Sequence, residues 1–307
     1  MKRLISGIVM GATLALTSQA FAISMPLSEY NLIVEEDYEH LGGSVWGKTF
    51  IGGDIIGYAS EFAVQVPESP VVDSLKVVGD IKASHVKVKS GNLVIGGEIA
   101  PSSMVELHGA GASIIHDNTL SIDSVIGDLN AASAYYQSLA TNTSYSNGVF
   151  SYSGSDDVAV FSGSVDDIFL QNTGFNFTGV NAGTIIINVS GTSIAPPNSY
   201  GFPAFDKEGL NGLGAANILW NFYEAEQLDL GSPNFMGTVL AMNAHANLMG
   251  TLEGSLAVKS LTTQRQIHDY TFTPPVNPVP VPGSALLFGS ALAGMGALMR
   301  RRKAKKA

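Results

Sequence analysis

The sequence contains no cysteine, so disulfide bonds cannot stabilise its fold. A chain without them depends on its hydrophobic core and its backbone hydrogen bonds. The stretch between the two terminal segments, about 250 residues long, is large enough to bury such a core. The absence therefore excludes a small disulfide-rich module and favours one large domain or two smaller ones.

Basic residues are scarce away from the ends. Residues 23–275 hold eight of the sixteen lysines and arginines and all 26 aspartates and glutamates, which gives this region a net charge of −18. Such a region repels phosphate backbones, so nucleic-acid binding is not expected. A site that cleaves acidic polysaccharides is also disfavoured, because it needs clustered cations to stabilise charge in the transition state.

Catalytic motifs are lacking as well. No G-x-S-x-G sequence occurs, and no two of the six histidines have the spacing of an H-E-x-x-H metal site. Asp156-Asp157 and Asp166-Asp167 offer paired carboxylates for Ca²⁺, but neither pair follows the EF-hand pattern, and both are interpreted as solvated loops. The sequence thus predicts no catalytic, cofactor-binding or metal-binding residue and no enzymatic activity.

The N-terminus has the pattern of a secretory signal peptide. Lys2 and Arg3 precede the apolar segment Leu4–Leu16, and Ala20-Phe21-Ala22 forms an A-x-A cleavage site. This order predicts a signal peptide over residues 1–22 that is cleaved after Ala22. We therefore expect an exported protein that begins at Ile23.

The C-terminus combines three segments. A proline-rich stretch, residues 274–282, is followed by the uncharged apolar segment Gly283–Met299 and by six cations within residues 300–307. The apolar segment is at the short edge of the roughly 17 to 25 residues that cross a ~30 Å hydrocarbon core, and adjacent cations favour the cytoplasmic side. The sequence predicts a spacer, a transmembrane or sorting helix and a basic cytoplasmic tail, with the ectodomain at residues 23–273.

The last residues, from Val279 to Lys306, resemble a PEP-CTERM sorting signal. The matching residues are Pro280, Pro282 and Gly283 before the apolar segment and Arg300, Arg301 and Arg302 after it. The usual glutamate between the prolines is absent, so this is a variant of the motif. The resemblance implies the envelope of a Gram-negative bacterium, processing by an exosortase-type enzyme and an anchor in the membrane that is at least transient.

The ectodomain contains a recurring unit of two apolar residues, one or two glycines, an acid and a further apolar residue. It occurs at Phe50–Ile55, Val77–Ile81, Val94–Ile99 and Val125–Leu129. Short strands with glycine corners at roughly one coil length are typical of a β-solenoid. The unequal spacing predicts a mainly β, irregular solenoid with one flanking helix, and a β-sandwich is the alternative.

The helix is predicted over Ser121–Ala140. Apolar residues recur there every three or four positions, which is the helical period, and Asp123 or Ser124 is the expected N-cap. The Val125–Leu129 unit is therefore assigned to this helix rather than to a fourth strand. We expect the helix to pack on the flank of a sheet or to close one end of the β core, where an uncovered edge would invite pairing.

The second half of the ectodomain again predicts strands. They are expected at Ala159–Phe161, Ile168–Leu170, Phe175–Phe177 and Gly183–Val189, followed by an irregular region over Ser190–Leu213. From Asn217 the strands follow one another closely and are interpreted as consecutive rungs. These are Ile218–Phe222, Gln227–Leu230, Gly237–Ala241, Ala246–Leu248 and Gly254–Leu261.

Residues from Tyr30 to Phe272 resemble a choice-of-anchor A domain, a bacterial surface domain found with alternative anchoring signals. The matching segments are Tyr30–Val34, Gly52–Asp54, Val94–Gly97, Ile218–Ala225, Asn234–Ala244, Glu253–Leu256 and Ile267–Phe272. Met242 stands where a proline is usual. The resemblance implies a location at the cell surface, and some members resemble adhesins that hold extracellular matrix ligands.

These observations predict an exported, membrane-anchored structural or adhesion-type protein associated with exopolysaccharide or a biofilm matrix. One alternative is a glycan-active enzyme on a solenoid, for which Trp46 and Trp220 are candidate stacking surfaces, although Trp220 is expected in the core. The other is an ice-binding solenoid, which presents flat ranks of threonine. Thr184, Thr192, Thr238 and Thr251 form no regular rank in the sequence.

Overall fold

The computed structural model describes residues 24–69, 71–170, 174–195, 214–231 and 234–275. The strands before the long helix are β1 (Leu32–Val34), β2 (Tyr38–His40), β3 (Ser44–Val45), β4 (Thr49–Ile51), β5 (Ile55–Gly57), β6 (Ala59–Phe62), β7 (Asp73–Val77), β8 (His85–Val88), β9 (Asn92–Ile95), β10 (Met104–Leu107) and β11 (Ile114–His116). Helix α1 (Asp123–Ser138) follows.

The second half adds one short α-helix, one 3-10 turn (Ala215–Asn217) and thirteen strands within the described ranges. They are β12 (Ser144–Ser146), β13 (Val149–Tyr152), β14 (Val158–Ser164), α2 (Val165–Ile168), β15 (Asn176–Val180), β16 (Thr184–Ser190), β17 (Ser193–Ile194), β18 (Ile218–Asn221), β19 (Gln227–Leu230), β20 (Phe235–Met236), β21 (Thr238–Leu248), β22 (Leu252–Glu253), β23 (Leu256–Thr263) and β24 (Ile267–His268).

All of these strands except β12, β13 and β15 form the three sides of a parallel β-solenoid. The first side has the order β11-β9-β7-β4-β1-β23-β21-β18-β16-β14, and the second has the order β10-β8-β6-β3-β24-β22-β20. The third side consists of β17, β19, the C-terminal parts of β21 and β23, β2 and β5. A sandwich is built from antiparallel sheets, whereas these ladders are parallel, so the predicted solenoid is confirmed over the alternative.

The rungs are not stacked in the order of the chain. From β1 the first half extends through β4, β7 and β9 to β11, whereas the second half starts at the opposite end with β14 and returns to β23. β23 then pairs with β1, with Leu32 beside Leu256 and Val34 beside Val258. The two halves therefore complete each other's hydrogen-bonded ladder in the middle of the stack. The rungs predicted from Asn217 onward are confirmed, since Trp220 lies in register between Ile187 and Val239.

Helix α1 links the two halves of the chain and lies along the outward face of the first side, from β4 to β16. Its sixteen residues, at ~1.5 Å each, span about 24 Å, which matches about five strand spacings of ~4.8 Å. The stripe Ile126, Leu129, Ala132 and Tyr136 is buried against one outward residue from each of several rungs, namely Ile33, Phe50, Ile186, Leu219, Leu240 and Ala257. The helix and its place on a flank are confirmed. Closure of an end is wrong, because this stripe fits a row that runs along the stack.

The start of α1 differs from the prediction. Ile122 is the N-cap residue and makes no side-chain cap bond, and Asp123 and Ser124 lie inside the helix. The Ser121 hydroxyl accepts a hydrogen bond from the Asp123 N–H at 3.1 Å. Ile122 itself is buried in the cluster beneath the helix, so packing rather than a capping side chain fixes where the helix begins. The assignment of Val125–Leu129 to the helix is confirmed.

The first three glycine–acid units stack at the corner between the first and third sides. The Gly79 N–H donates to Gly53 O at 3.2 Å, and the Asp54 carboxylate accepts from the Asp80 N–H at 2.7 Å. The Asp80 carboxylate in turn accepts from the Glu98 N–H at 2.9 Å. A Cβ on Gly79 would lie 2.5 Å from both Gly53 O and Asp54 Oδ1. Glycine therefore leaves room for the acid of one rung to bond the backbone of the next.

A separate sheet of β12, β13 and β15, here called the cap sheet, packs on the core at the β14 end. The Phe150 ring lies 4.7 Å from Phe161 and 4.4 Å from Phe177. The strand predicted at Ile168–Leu170 is wrong, because α2 occupies Val165–Ile168. Ser164 and Asp167 form a capping box there, and these local bonds favour a helical turn over an extended strand.

Candidate functional site

The surfaces available for binding follow from the position of α1. The helix covers the outward face of the first side from β4 to β16, whereas the outward faces of the second and third sides are left uncovered by the described domain. Side chains alternate inward and outward along each strand, and parallel rungs lie ~4.8 Å apart. Equivalent outward side chains therefore form columns that run along the stack.

The second side carries a column of charged residues. Glu106, Lys87, Glu61 and Ser44 occupy matching positions on β10, β8, β6 and β3. Lys87 Nζ lies 3.6 Å from Glu61 Oε1, and His85 Nε2 lies 3.2 Å from Glu106 Oε1. Opposite charges thus alternate from rung to rung and attract one another along the column.

The carboxylate of Glu106 joins two histidines. His108 Nε2 lies 3.2 Å from Glu106 Oε2, on the other side of the carboxylate from His85. The His108 hydrogen bond, aided by the nearby charges of His85 and Lys87, holds the pKa of Glu106 below its ordinary value. Glu106 therefore remains an acceptor for hydrogen bonds under mildly acidic conditions.

Further along the second side, one stacked pair of rings takes the place of the charged column. The rings of Trp46 and His268 are stacked with centroids 3.7 Å apart. His268 Nδ1 lies 2.9 Å from Glu253 Oε2, and its Nε2 lies 3.0 Å from Gln266 Oε1. Asn31, buried behind them, donates to the backbone carbonyls of Gly254 and His268 and holds these rungs together.

The third side has two polar columns near the β19 end. One contains Gln227, His245 and Ser260, and the other contains Asp229, Asn247, Thr262 and Glu39. His245 Nδ1 lies 2.8 Å from Ser260 Oγ, and the Thr262 hydroxyl donates to Glu39 at 3.1 Å. This half of the third side offers uncharged and charged hydrogen-bonding groups on one face.

The other half of the third side carries the acids of the glycine–acid units. Lys82 Nζ bonds the carboxylates of Asp54 and Asp80, which raises the pKa of Lys82. The Glu98 N–H, followed by Lys82, lowers the pKa of Asp80. These carboxylates are used to join rungs. Among the residues that the structure describes, no group of three or more His, Asp or Glu side chains is arranged to hold a metal ion.

The sequence-predicted export and sorting residues lie outside the described ranges. These are Ala20 and Ala22 of the signal peptide, and Pro280, Pro282, Gly283, Arg300, Arg301 and Arg302 of the sorting signal. The predicted span Gly283–Met299 lies outside them too, and no helix inside the described ranges is long and apolar enough to cross a membrane.

The structure separates the two tryptophans proposed as stacking surfaces. Trp220 is fully buried, as expected, and its Nε1 donates to Met236 O at 2.9 Å. Trp46 lies on the second side, half-buried beside His268. Of the four threonines, Thr184 and Thr238 are buried, whereas Thr192 is exposed and Thr251 is half-buried on a different rung, so they form no rank.

One carboxylate of each predicted pair, Asp156-Asp157 and Asp166-Asp167, accepts a hydrogen bond. Asp157 accepts from the Gly183 N–H at 3.0 Å, and Asp167 belongs to the capping box of α2. Sequence reasoning missed the charged column of the second side. Its signal was present in the alternation His85-Val86-Lys87-Val88, where every second residue is buried.

Comparison with known proteins gives the family. A family model described as an ice-binding-like adhesive domain matches residues 23–269. The chain belongs to this family. The ice-binding-like adhesive domain thus covers the whole solenoid, including α1 and the cap sheet, and identifies an ice-binding or adhesive solenoid protein. No curated protein matches the sequence.

Solved structures show more distant similarity. An ice-binding protein from the Antarctic ascomycete Antarctomyces psychrotrophicus is 15% identical, with a TM-score of 0.32, and the match covers 81% of this chain and 97% of that one. An ice-binding protein from an Antarctic biological consortium is 12% identical, with a TM-score of 0.31 and coverage of 88% and 97%. The DUF3494 domain of Shewanella frigidimarina ice-binding protein 1 is 12% identical, with a TM-score of 0.34 and coverage of 78% and 94%.

Proposed function

We propose that this protein is exported and anchored at the cell surface, where its solenoid acts as a non-enzymatic adhesion protein that contacts exopolysaccharide or another matrix component. Membership in a family of adhesive domains supports a binding role. The observation that carries the proposal is the second side, where charged and aromatic side chains of successive rungs stand in register on a face that α1 leaves uncovered.

A surface with columns at a ~4.8 Å spacing suits a repetitive partner. A long polymer can contact many rungs at once, and linked contacts give an avidity well above that of any one of them. The alternating charges of Glu106, Lys87 and Glu61 leave the column without a large field of one sign. This favours a polar polymer over a highly charged one.

The terminal segments support export and anchoring. The pattern ending at Ala22 supports removal of a signal peptide, and the variant PEP-CTERM pattern supports an exosortase-type enzyme as a processing partner. Mass spectrometry of the protein from fractionated cells tests this part. We expect envelope-associated protein that begins at Ile23, whereas an intact chain bearing Met1 in the cytosolic fraction would contradict export.

Adhesion is tested in a deletion strain complemented with charge-reversal variants. Lys87→Glu places three acids in one column of the second side and should reduce biofilm mass and polysaccharide retention several-fold. Lys259→Glu is the matched control, because Lys259 forms a comparable exposed ion pair with Glu36 at 3.5 Å away from that side. A deletion strain with normal biofilm, aggregation and surface glycan would overturn the proposal.

Ice binding is the second candidate, and the family description favours it. The purified protein should then shape ice crystals and show thermal hysteresis. The absence of both effects, together with retention of polysaccharide, would leave adhesion as the function. Release of reducing ends from that polysaccharide would instead indicate a glycan-active enzyme.

A further inference from the structure

The region around the cap sheet differs in composition from the rest of this acidic domain. Residues 141–155, here called the hydroxyl-rich segment, contain no charged residue and no histidine, although the whole chain has 26 acids. The segment consists almost entirely of Thr, Ser, Asn, Tyr and Gly. Antibody paratopes are enriched in Tyr, Ser, Gly and Asn, because tyrosine supplies rigid contact area and the small polar residues supply adaptable hydrogen bonds.

Two clefts lie on either side of β12, each lined in part by this segment. The larger has a volume of about 400 Å³, with Thr141, Ser146, Asn147 and Ser162 among its polar lining residues and Phe150 and Phe161 among its apolar ones. The smaller has a volume of about 210 Å³ and is lined by Ser144, Ser151, Tyr152 and Ser153 among others. A few polar groups above an apolar floor are the usual lining of small-ligand sites, and the larger cleft falls in their size range.

Internal hydrogen bonds fix the shape of these clefts. The Thr143 hydroxyl, between the two clefts, donates to Val160 O, and Asn142 bonds both Val158 O and the Val160 N–H. The Tyr145 hydroxyl donates to Ile168 O at 2.7 Å, and the Tyr152 hydroxyl donates to Asp156 O at 3.1 Å. The walls are therefore preorganised, which lowers the entropic cost of binding.

Other hydroxyl-bearing residues of the clefts are exposed to solvent. Thr141, Ser146 and Ser162 are exposed at the larger cleft, and Ser144 and Ser153 are exposed at the smaller. Asn147 is exposed too, at the hairpin turn, where it has a φ of 48° next to Gly148. Such groups donate and accept hydrogen bonds in turn, as a ligand rich in hydroxyl groups requires.

The charges beside the clefts select against anions. Asp166 and Asp167 are the charged residues of the larger lining, and no lysine or arginine lines either cleft. Asp167 is already engaged by Ser164. A carboxylated or sulfated ligand would meet like charge without a compensating cation.

We propose that the hydroxyl-rich segment is a binding site for a neutral saccharide, with the larger cleft holding one or two sugar units. This inference rests on the proposed adhesive function and assigns it a ligand class and a second location, separate from the charged column of the second side. The columns of the second side would contact the length of a polymer, and the hydroxyl-rich segment would bind a neutral branch or chain end.

Saturation-transfer NMR and calorimetry on the whole purified protein test the site. The probes are cellohexaose and maltohexaose as neutral ligands and hexagalacturonate as the anionic one. We expect at least one neutral probe to bind and the anionic probe to fail. Ser162→Trp should fill the larger cleft and weaken the neutral probe about tenfold or more, and Ser162→Ala should weaken it about threefold through loss of one hydroxyl.

The control is Thr178→Trp, which adds the same bulk to an exposed position of β15 that lines neither cleft. It should bind as the unaltered protein does. Equal affinity of Ser162→Trp and Thr178→Trp, or binding of hexagalacturonate alone, would overturn the site. If neutral probes do not bind while Lys87→Glu still reduces biofilm mass several-fold, this inference fails and the adhesive function stands.

Discussion

The side chain of Asn221 donates a hydrogen bond of 2.8 Å to the side-chain oxygen of Asn188 on the neighbouring rung. Both asparagines are buried between the first side and α1. Asn221 also donates to Ser133 O at 2.9 Å and accepts from the Ser133 hydroxyl at 2.7 Å, while Asn188 donates to Tyr136 O at 2.8 Å. Two adjacent rungs are thus joined to the last turns of the helix by one polar network inside an otherwise apolar contact.

Loss of this network should weaken the attachment of the helix to the first side. We expect Asn221→Ala to lower the free energy of unfolding by about 2–4 kcal/mol, because it removes the hydrogen-bond partner of the half-buried Ser133 and of the buried Asn188. Asn130→Ala, at an exposed position of the same helix, is the control and should change it by less than about 0.5 kcal/mol. Chemical denaturation measures both, and similar values for the two variants would show that the network does not stabilise the fold.

Two glycine-to-alanine substitutions should change the stability of the protein in opposite directions. Gly79→Ala brings a Cβ to 2.5 Å from Gly53 O and Asp54 Oδ1 and should destabilise the protein by about 2 kcal/mol. Gly127→Ala lies in α1, where nothing is found within 4 Å of the added Cβ, and should stabilise it by about 0.5–1 kcal/mol. Thermal unfolding distinguishes them, and a stabilising Gly79→Ala would refute the stacked-corner account of the glycine–acid units.

His40 should make the fold sensitive to acid. Its ring is buried in the solenoid beside Tyr38, and burial lowers its pKa from 6.5 to about 4. Between those values the unfolded chain binds more protons, so the stability present above pH 6.5 is lost as the pH falls toward 4. Between pH 7 and pH 4.5, His40 should lower the free energy of unfolding by roughly 2–3 kcal/mol.

The measurement is a difference between two pH profiles of unfolding free energy. Other groups titrate in the same range, so the profile of His40→Phe is subtracted from that of the unaltered protein, and the exposed His245→Ala serves as the control. A difference that stays flat from pH 7 to pH 4.5 would exclude a buried neutral histidine.

The two tryptophans should differ sharply in their contribution to stability. Trp220→Ala opens a cavity among Phe150, Phe175 and Phe235 and should cost about 3–5 kcal/mol. Trp46→Ala removes a ring that is only half-buried, so less buried area is lost. The lost stacking on His268 should add about 1 kcal/mol to that smaller loss of stability. Denaturation curves followed by circular dichroism decide, and a larger loss for Trp46→Ala would mean that the second side belongs to the core.

Local sequence patterns were sufficient where the interaction lies within a few residues. The period of Ser121–Ala140 predicts α1, and the repeated glycine–acid units predict a solenoid, because each unit carries its own corner chemistry. The same reasoning failed at Ile168–Leu170. There the apolar residues indicate a strand, whereas the capping box of Ser164 and Asp167 favours a helical turn.

The sequence by itself determined that this protein is mainly β with glycine corners, one helix and an acidic central region, and its terminal segments predict export and anchoring, but it left a sandwich open beside the solenoid. Only the tertiary structure decided the order of the rungs, the pairing of β1 with β23 and the side that α1 covers. These depend on contacts between residues more than two hundred positions apart, such as Asn31 with Gly254, and no local period encodes such partners. The uncovered faces, and hence the candidate binding surfaces, follow from that long-range packing.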